Sequence, residues 1–360
     1  MFAALAAHGH TYPLVPLAIA AAQAGHEVVF AGGEALLPSL RAAGLTARPA
    51  GLSVQEAFAG IAPGPADERV GRVIGDVMPR RMIADLTPLL AEFRPDAVVY
   101  EIATLGASLA AQAHGVPAVG HTFGRMFVND MSTAMVEAYT ALATSLGLEP
   151  DSAGLVLDIC PPSIQFKDFL ERANRLPLRP VPWSECGELV ERTSGRPLVY
   201  LTLGTAFPTA QVLRTAIDGL AKLPVDVLVS TGKQVDIGEV PEQVRVRRWV
   251  SQAGVLPHVD LVVHHGGSGT MLGTFAAGKP QLVLPQGADQ FTNAEAIVEA
   301  GAGGRILPPE LTSEAVTATV RTLLSDLDVR AAASRLAKEI AKMPSPREIA
   351  KQLPALIDQG

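Results

Sequence analysis

The chain has 360 residues, enough for two or three domains, and its 48% hydrophobic content is ample for buried cores. A formal charge of −7 argues against a nucleic-acid groove or an anionic membrane surface as partner. The two cysteines, Cys160 and Cys186, lack CxxC or zinc spacing and fit a reducing cytoplasm, and no apolar run reaches transmembrane length.

Phe2–Ala7 reads as a buried strand; it opens after a single Met, which leads us to expect a missing or late-assigned start. His8-Gly9-His10 reads as a loop and Tyr12–Ala24 as a helix, with Pro13 in its first turn and Gly25 at its end. HEVVFAG is a second strand, Glu34–Ala43 a helix capped by Gly44, and a third strand follows. Val54–Ala66, with its Pro and Gly, reads as a loop; Arg69–Phe93 is mostly helical and interrupted near Pro79. Asp96–Glu101 is a strand, Leu105–His114 a helix, VPAVGH a strand and Met131–Leu146 a helix. A second series begins at PLVYLTLG, a strand, then helix Ala210–Leu223, strand VDVLVSTG, strand Val244–Val250 and the short helix Gln252–His258. Strand Leu261–His264, a glycine turn, a helix ending at Gly278 and the extended run Gln281–Pro285 come next; Ser313–Leu324 and Val329–Met343 close the series as helices. Strands alternating with helices of this length imply βαβ units and parallel sheet. The Pro-, Gly- and charge-rich stretch 179–196 separates the series as a linker, so the expected organisation is 1–178, linker, 197–344 and a final helix in 345–360.

The densest chemistry lies in His264-His265-Gly266-Gly267-Ser268-Gly269-Thr270. Three glycines allow a tight turn and close approach of a ligand to the backbone. Ser268 and Thr270 stand where a helix starts, and the free N–H groups there form an anion site. About twenty residues on, Pro285-Gln286-Gly287-Ala288-Asp289-Gln290 forms a polar loop at a strand's C-terminal end, where open α/β sheets bind ligands. A phosphate at one end and a hydroxyl-rich group at the other describe a nucleotide sugar.

HHGGSGT followed by P-x-G-x-D-Q-x-x-N resembles the donor signature of GT-B glycosyltransferases, in particular the antibiotic-tailoring branch that includes the calicheamicin (enediyne), macrolide and aromatic polyketide enzymes. The resemblance covers essentially the whole chain. It implies two Rossmann-like domains facing each other across a cleft, an N-terminal acceptor domain and a C-terminal nucleotide-sugar domain, with the last helix, Ser345–Ile357, crossing back to the first. It also implies an inverting, metal-independent transferase with no cofactor, whose partners are a TDP-sugar, its sugar a 6-deoxyhexose, and a hydrophobic aglycone; a homodimer is left open.

The resemblance makes His10, in G-H-T-Y-P-L, the base, and an imidazole titrates in the right range for that work. Otherwise His10, like His8, is a polar loop residue. Glu101 stands where relatives place an Asp that fixes the base's tautomer; it could instead serve only the helix start before Thr104. The family pattern assigns His265, Gly267, Ser268, Gly269, Thr270 and Thr205 to the diphosphate. Strand alternation turns His264 away from His265, into a structural role. Trp249, Val250 and Gln252 are expected at the nucleobase, although Trp249 also suits a core, and Ser251 replaces a Pro common in relatives. Asp289 and Gln290 match the sugar-contacting pair, with helix capping the alternative for Asp289. Tyr12, Phe58, Met78, Met82, His121, Phe123, Phe127 and Met131 are candidates for a greasy acceptor wall, each of which would serve equally as core.

Gly273 stands where UDP-sugar relatives of the plant type carry a ribose-binding Glu, which favours TDP over UDP. Asp326-Leu327-Asp328 has D-x-D metal spacing but lies between two helices, as a cap would. The glycine run fails as a dinucleotide fingerprint at Leu272, and no acid ends the following strand, which disfavours a nicotinamide dehydrogenase. A UDP-sugar transferase, a sugar-nucleotide epimerase and a non-catalytic partner protein are the remaining alternatives.

Overall fold

The structure is a computed structural model that describes residues 1–126, 132–150, 154–184, 192, 194–204, 210–232 and 237–357. Two units divide the chain: Met1–Arg179 with Pro344–Gly360, and Pro180–Met343. Each is built on one parallel sheet with helices between most successive strands.

In the first unit the strands are β1 (Phe2–Ala3), β2 (Val29–Gly32), β3 (Thr46–Pro49), β4 (Val98–Glu101), β5 (Ala118–His121), β6 (Leu155–Asp158) and β7 (Arg175–Pro177). Their order is β3-β2-β1-β4-β5-β6-β7, so the chain reverses direction across the sheet between β1 and β4. A parallel sheet covered on both faces needs strands apolar throughout, and β2 and β4 are buried at every position. The helices are α1 (His8–Thr11), α2 (Val15–Gln23), α3 (Leu37–Ala42), α4 (Val54–Ala59), α5 (Ala66–Arg72), α6 (Met78–Phe93), α7 (Leu105–Ala113), α8 (Thr133–Ser145) and α9 (Lys167–Leu170). The C-terminal helix, Pro346–Ile357, packs on α2, and His26 Nε2 lies 3.1 Å from the Ala350 carbonyl.

Several local expectations change. Strand β1 stops at Ala3, because the Ala7 amide turns back onto the Leu5 carbonyl at 2.7 Å. Residues His8–His10, expected as loop, form with Thr11 one helical turn, closed by Thr11 N–H to Ala7 O at 2.9 Å. Part of the expected loop at 54–66 is α4, started by a capping box: the Glu56 amide donates to Ser53 Oγ and the Ser53 amide to Glu56 Oε2. Pro79 does not interrupt its helix; it sits in the first turn of α6, and the irregularity is a wide π-type turn at Val73–Val77. Strands β6 and β7 were not legible.

The second unit has β8 (Leu198–Thr202), β9 (Asp226–Ser230), β10 (Val244–Arg247), β11 (Leu261–His264), β12 (Gln281–Val283) and β13 (Gly303–Arg305), the last unanticipated because GGR carries no strand signal. The order is β10-β9-β8-β11-β12-β13, with the reversal between β8 and β11. Its helices are α10 (Ala210–Leu220), α11 (Gln252–Val255), α12 (Ser268–Ala276), α13 (Gln290–Glu299), α14 (Ser313–Ser325) and α15 (Leu327–Lys342). Val199, Val227, Leu261 and Leu282 from the sheet pack with Leu213, Ile217, Val316 and Val320 from the helices in one core. Among the described residues no helix is long and apolar enough to cross a membrane.

Candidate active site

In each sheet the candidate residues gather beyond the C-terminal strand ends at the reversal point, where loops diverge and leave a crevice. In the first unit that point lies between β1 and β4. His10 follows β1 on α1 and Glu101 ends β4. His10 Nδ1 is 3.1 Å from Glu101 Oε2, the carboxylate fully buried and the imidazole 29% exposed. A neutral imidazole that donates from Nδ1 carries its lone pair on Nε2, the state a general base requires. Glu101 is itself anchored: it accepts from the Ala103 amide at 2.8 Å and from the Thr104 hydroxyl at 3.1 Å. The helix-start role and the histidine contact therefore coexist on one carboxylate. Phe123 covers one side of the His10 ring at 4.8 Å between centroids, and half-buried Tyr12 meets His8 edge-on. Half-buried Phe58 faces the Arg69 guanidinium.

Three expected acceptor-wall residues are core instead. Met82 packs with Leu86, Tyr100 and Ala107, and Met78 with Val73 and Ala57. His121 is wholly buried; its Nδ1 donates to the Thr122 carbonyl at 2.6 Å, and burial pushes its imidazole down to about 4. Phe127 and Met131 lie outside the described residues, as does Thr205 on the donor side.

In the second unit the reversal point holds the glycine turn. Gly267 is the N-cap of α12 with extended backbone, and no side chain caps the helix. The Ser268, Gly269 and Thr270 amides donate to no carbonyl among the described residues, which leaves the positive end of a nine-residue helix open. A Cβ added to Gly269 would meet nothing within 4 Å, so this face of the turn is free for a ligand.

His265 lies in a cradle of glycines. A Cβ on Gly267 would sit 2.4 Å from its Nε2, and one on Gly204 would sit 2.6 Å from its Cε1. Burial, partly offset by the Asp289 carboxylate and the Thr202 backbone, pushes His265 down to about 4, so it is neutral at pH 7. His264 points into the core: Gly266 N–H donates to its Nδ1 at 3.1 Å, and its Nε2 donates to Gln281 Oε1 at 2.7 Å. Burial pushes its imidazole down to about 3.

Gln252 Nε2 donates to the Thr270 hydroxyl at 3.0 Å, which ties the loop that precedes α11 to the start of α12 and leaves the Thr270 hydroxyl proton available to donate onward. Ser251 caps α11 through its hydroxyl, which accounts for a Ser at this position. Trp249 is half-buried, whereas the Val250 side chain packs in the core with Val255 and Leu256, so only its backbone remains for a base.

Asp289 is the N-cap residue of α13 but makes no capping bond. Its Oδ2 instead accepts from Ser268 Oγ and Asn293 Nδ2, both at 2.8 Å. Gln290 uses its carbonyl oxygen to hold the loop, accepting from the Gln286 and Gly287 amides. Asn293 closes the P-x-G-x-D-Q-x-x-N signature, but no role of its own was read for it from the sequence; its spacing of four residues from Asp289 on one helix is the signal that could have found one. Asp326 accepts from the Asp328 and Val329 amides as the cap of α15, and among the described residues no three His, Cys, Asp or Glu side chains are grouped as a metal site.

Two parallel α/β units, a buried carboxylate on a histidine in one and an open glycine turn in the other, define a GT-B glycosyltransferase. Residues 66–204 match the N-terminal domain, and residues 214–356 the C-terminal domain, of the erythromycin biosynthesis protein CIII-like family. The chain belongs to that family of antibiotic-biosynthesis glycosyltransferases. It is 33% identical to the L-demethylnoviosyl transferase of Streptomyces niveus, over 96% of this chain and 95% of that protein. The crystal structure of Streptomyces sp. SF2575 glycosyltransferase SsfS6, complexed with thymidine diphosphate, is similar with a TM-score of 0.83 and 28% identity, covering 100% of this chain and 99% of that one. The calicheamicin glycosyltransferase CalG4 shares the fold, with a TM-score of 0.85 at 22% identity over 99% of this chain and 98% of that one.

Proposed function

We propose that this enzyme moves a deoxysugar from a TDP-sugar to a hydroxyl of a hydrophobic natural-product aglycone of polyketide or enediyne type, with inversion and without a metal. The single observation that carries the reading is the His10–Glu101 pair. A nucleotide-binding fold alone would need no such base. In the proposed step the acceptor oxygen attacks the anomeric carbon as the sugar–phosphate bond breaks on the opposite side. His10 Nε2 takes the hydroxyl proton, and TDP leaves with the bonding pair. One displacement inverts the anomeric centre.

The departing charge would be met by the open amides of α12 and by the Thr270 hydroxyl, which support a reaction without a metal. Asp289 and the Gln290 amide nitrogen would hold sugar hydroxyls. Preference for TDP is supported at Gly273. A side chain there would meet Leu256 Cδ1 at 3.0 Å and Pro182 Cβ at 3.3 Å, so a ribose-binding carboxylate has no room without movement. The SsfS6 structure was solved with thymidine diphosphate, which points the same way.

The test is thermal shift with TDP and UDP, followed by turnover of TDP-sugars with hydroxylated polyketides, read by product mass and by NMR of the anomeric proton. The expected result is stronger protection by TDP and a glycoside of inverted configuration. No protection by either diphosphate, or retained configuration, would overturn the proposal.

A further inference from the structure

The diphosphate turn and the sugar loop are separate in sequence, and two side chains, Ser268 and Asn293, join them. Asn293 is 1% exposed. Its Nδ2 lies 2.9 Å from the Gly266 carbonyl, 3.1 Å from Ser268 Oγ and 2.8 Å from Asp289 Oδ2. Its Oδ1 is buried and has no hydrogen-bond partner among the described residues. Two of the three atoms around the nitrogen are pure acceptors, so the amide cannot be turned the other way without setting oxygen against oxygen. All of its hydrogen bonding therefore serves other groups, and a buried polar atom left unpaired needs such a reason.

What those bonds hold is the carboxylate of Asp289. An N-cap Asp would ordinarily turn to its own helix amides, and this one does not. Ser268 Oγ and Asn293 Nδ2 both grip Oδ2, which leaves Oδ1 free of them. The same two residues tie Asp289 to the turn whose amides would take the diphosphate: Ser268 is the first residue of α12, and Asn293, on α13, holds the Gly266 carbonyl before it.

We infer that Asn293 is a positioning residue that fastens the Asp289 carboxylate to the diphosphate turn, so that a TDP-sugar's phosphate and sugar are read as one rigid unit. The inference rests on the proposed donor reading. Asn293 touches no substrate in it; it acts through Asp289. Losing it leaves the Asp289 carboxylate held by Ser268 Oγ alone, which loosens the sugar end and spares the nucleotide end.

Isothermal titration with TDP, TDP-glucose and TDP-rhamnose tests this on the full chain, comparing wild type with Asn293→Ala and with the nearly isosteric Asn293→Asp. The sugar increment is the ratio of the TDP Kd to the tighter TDP-sugar Kd. We expect TDP affinity to stay within about threefold in both variants. The sugar increment should fall about tenfold to a hundredfold, the range for a lost hydrogen bond to a charged group. Asn293→Asp should do no better than Asn293→Ala, since it keeps the volume and sets a second carboxylate against Asp289. In a cycle with Asp289→Ala, the Asn293→Ala effect should vanish, because the group it positions is gone.

Equal loss of TDP and TDP-sugar binding would overturn the inference in favour of a structural role. Rescue by Asn293→Asp, additivity with Asp289→Ala, or a wild type that binds neither sugar nucleotide more tightly than TDP would overturn it as well. A wild type that fails to bind TDP removes the donor reading instead, so the two failures are distinguishable.

Discussion

The histidine site of the first unit and the glycine turn of the second occupy the same place in their respective sheets, yet they are built by different physics. The glycine turn is fixed by close approach: the His265 ring leaves no room for a Cβ at Gly204 or Gly267, and burial keeps it neutral. Hydrogen bonds among Ser268, Asp289, Asn293, Gln252 and Thr270 lock the surroundings. His10, by contrast, is 29% exposed and bound to one carboxylate. Binding a diphosphate needs many weak donors aligned beforehand, whereas a base needs one nitrogen that can still exchange its proton.

The largest effect expected from breaking this contrast falls on the first unit. His10→Ala should lower turnover about 10²- to 10⁴-fold, the usual worth of a general base, while TDP affinity stays unchanged. Glu101→Gln should also cost more than tenfold, because the amide can present a donor to Nδ1 and so favour the wrong tautomer. Initial rates paired with titration of TDP check both. Near-normal turnover of His10→Ala would remove the base assignment, and a parallel loss of TDP binding would show that the two sites are not separable.

The second effect lies in the turn and sets two neighbouring glycines against each other. Gly267→Ala drives a methyl into the His265 ring and should cost about 1–3 kcal/mol of stability, as overpacking does, together with TDP binding. Gly269→Ala meets nothing in the free protein and lies inside a helix, so it should raise stability by about 0.5–1 kcal/mol. It should nevertheless weaken TDP, because its methyl would stand on the open face of the turn. Chemical denaturation with and without TDP separates the outcomes. Equal stability of the two variants would show that the cradle is not closed.

Acid sharpens the same comparison. His264 and His265 in the second unit are depressed to about 3 and about 4, and His121 in the first to about 4. Between these values and the usual histidine pKa near 6.5 the unfolded chain binds more protons than the folded one. The stability contributed by these neutral rings is therefore fully present above about pH 6.5 and is lost as pH falls toward 4 and then 3. On histidines alone, the second unit should lose more than the first. Removing His265 by substitution with Gln should flatten that slope, which melting followed from pH 7 to 4 will show.

What was legible in the chain follows the same division. The alternation of apolar runs with helices exposed both parallel sheets, and the HHGGSGT turn was readable because its glycines and its first-turn amides are contiguous. Glu101 was legible as a strand-end carboxylate. The acceptor wall was not, because an apolar residue such as Met82 has the same signature in a core as in a pocket, and only three-dimensional packing decides. Asn293 closes the quoted P-x-G-x-D-Q-x-x-N signature, but its role was missed for a related reason: its partners Gly266 and Ser268 lie 27 and 25 residues away, beyond any local pattern. The helix at Val54–Ala59 differs in kind. Its S-x-x-E box was written in the sequence and was outweighed by the neighbouring Pro and Gly.

The smallest effect concerns a group that neither hydrogen-bond network uses. Both side-chain amide atoms of Gln286, in the loop before Asp289, are buried and lack a hydrogen-bond partner among the described residues. The backbone around it is held in place by Gln290, and Ala288 two residues on has a left-handed φ of 52°, so the loop keeps a strained shape that does not depend on the Gln286 side chain. Desolvating an amide without a partner costs about 1–3 kcal/mol, and an apolar side chain of similar length avoids that cost. Gln286→Met should therefore raise the melting temperature of the free protein by about 2–4 °C per kcal/mol recovered. Its TDP affinity should not change, because no bond to the glycine turn is removed. A fall in melting temperature would mean that the amide is paired in solution and that this part of the sugar loop is as fully networked as the turn it adjoins.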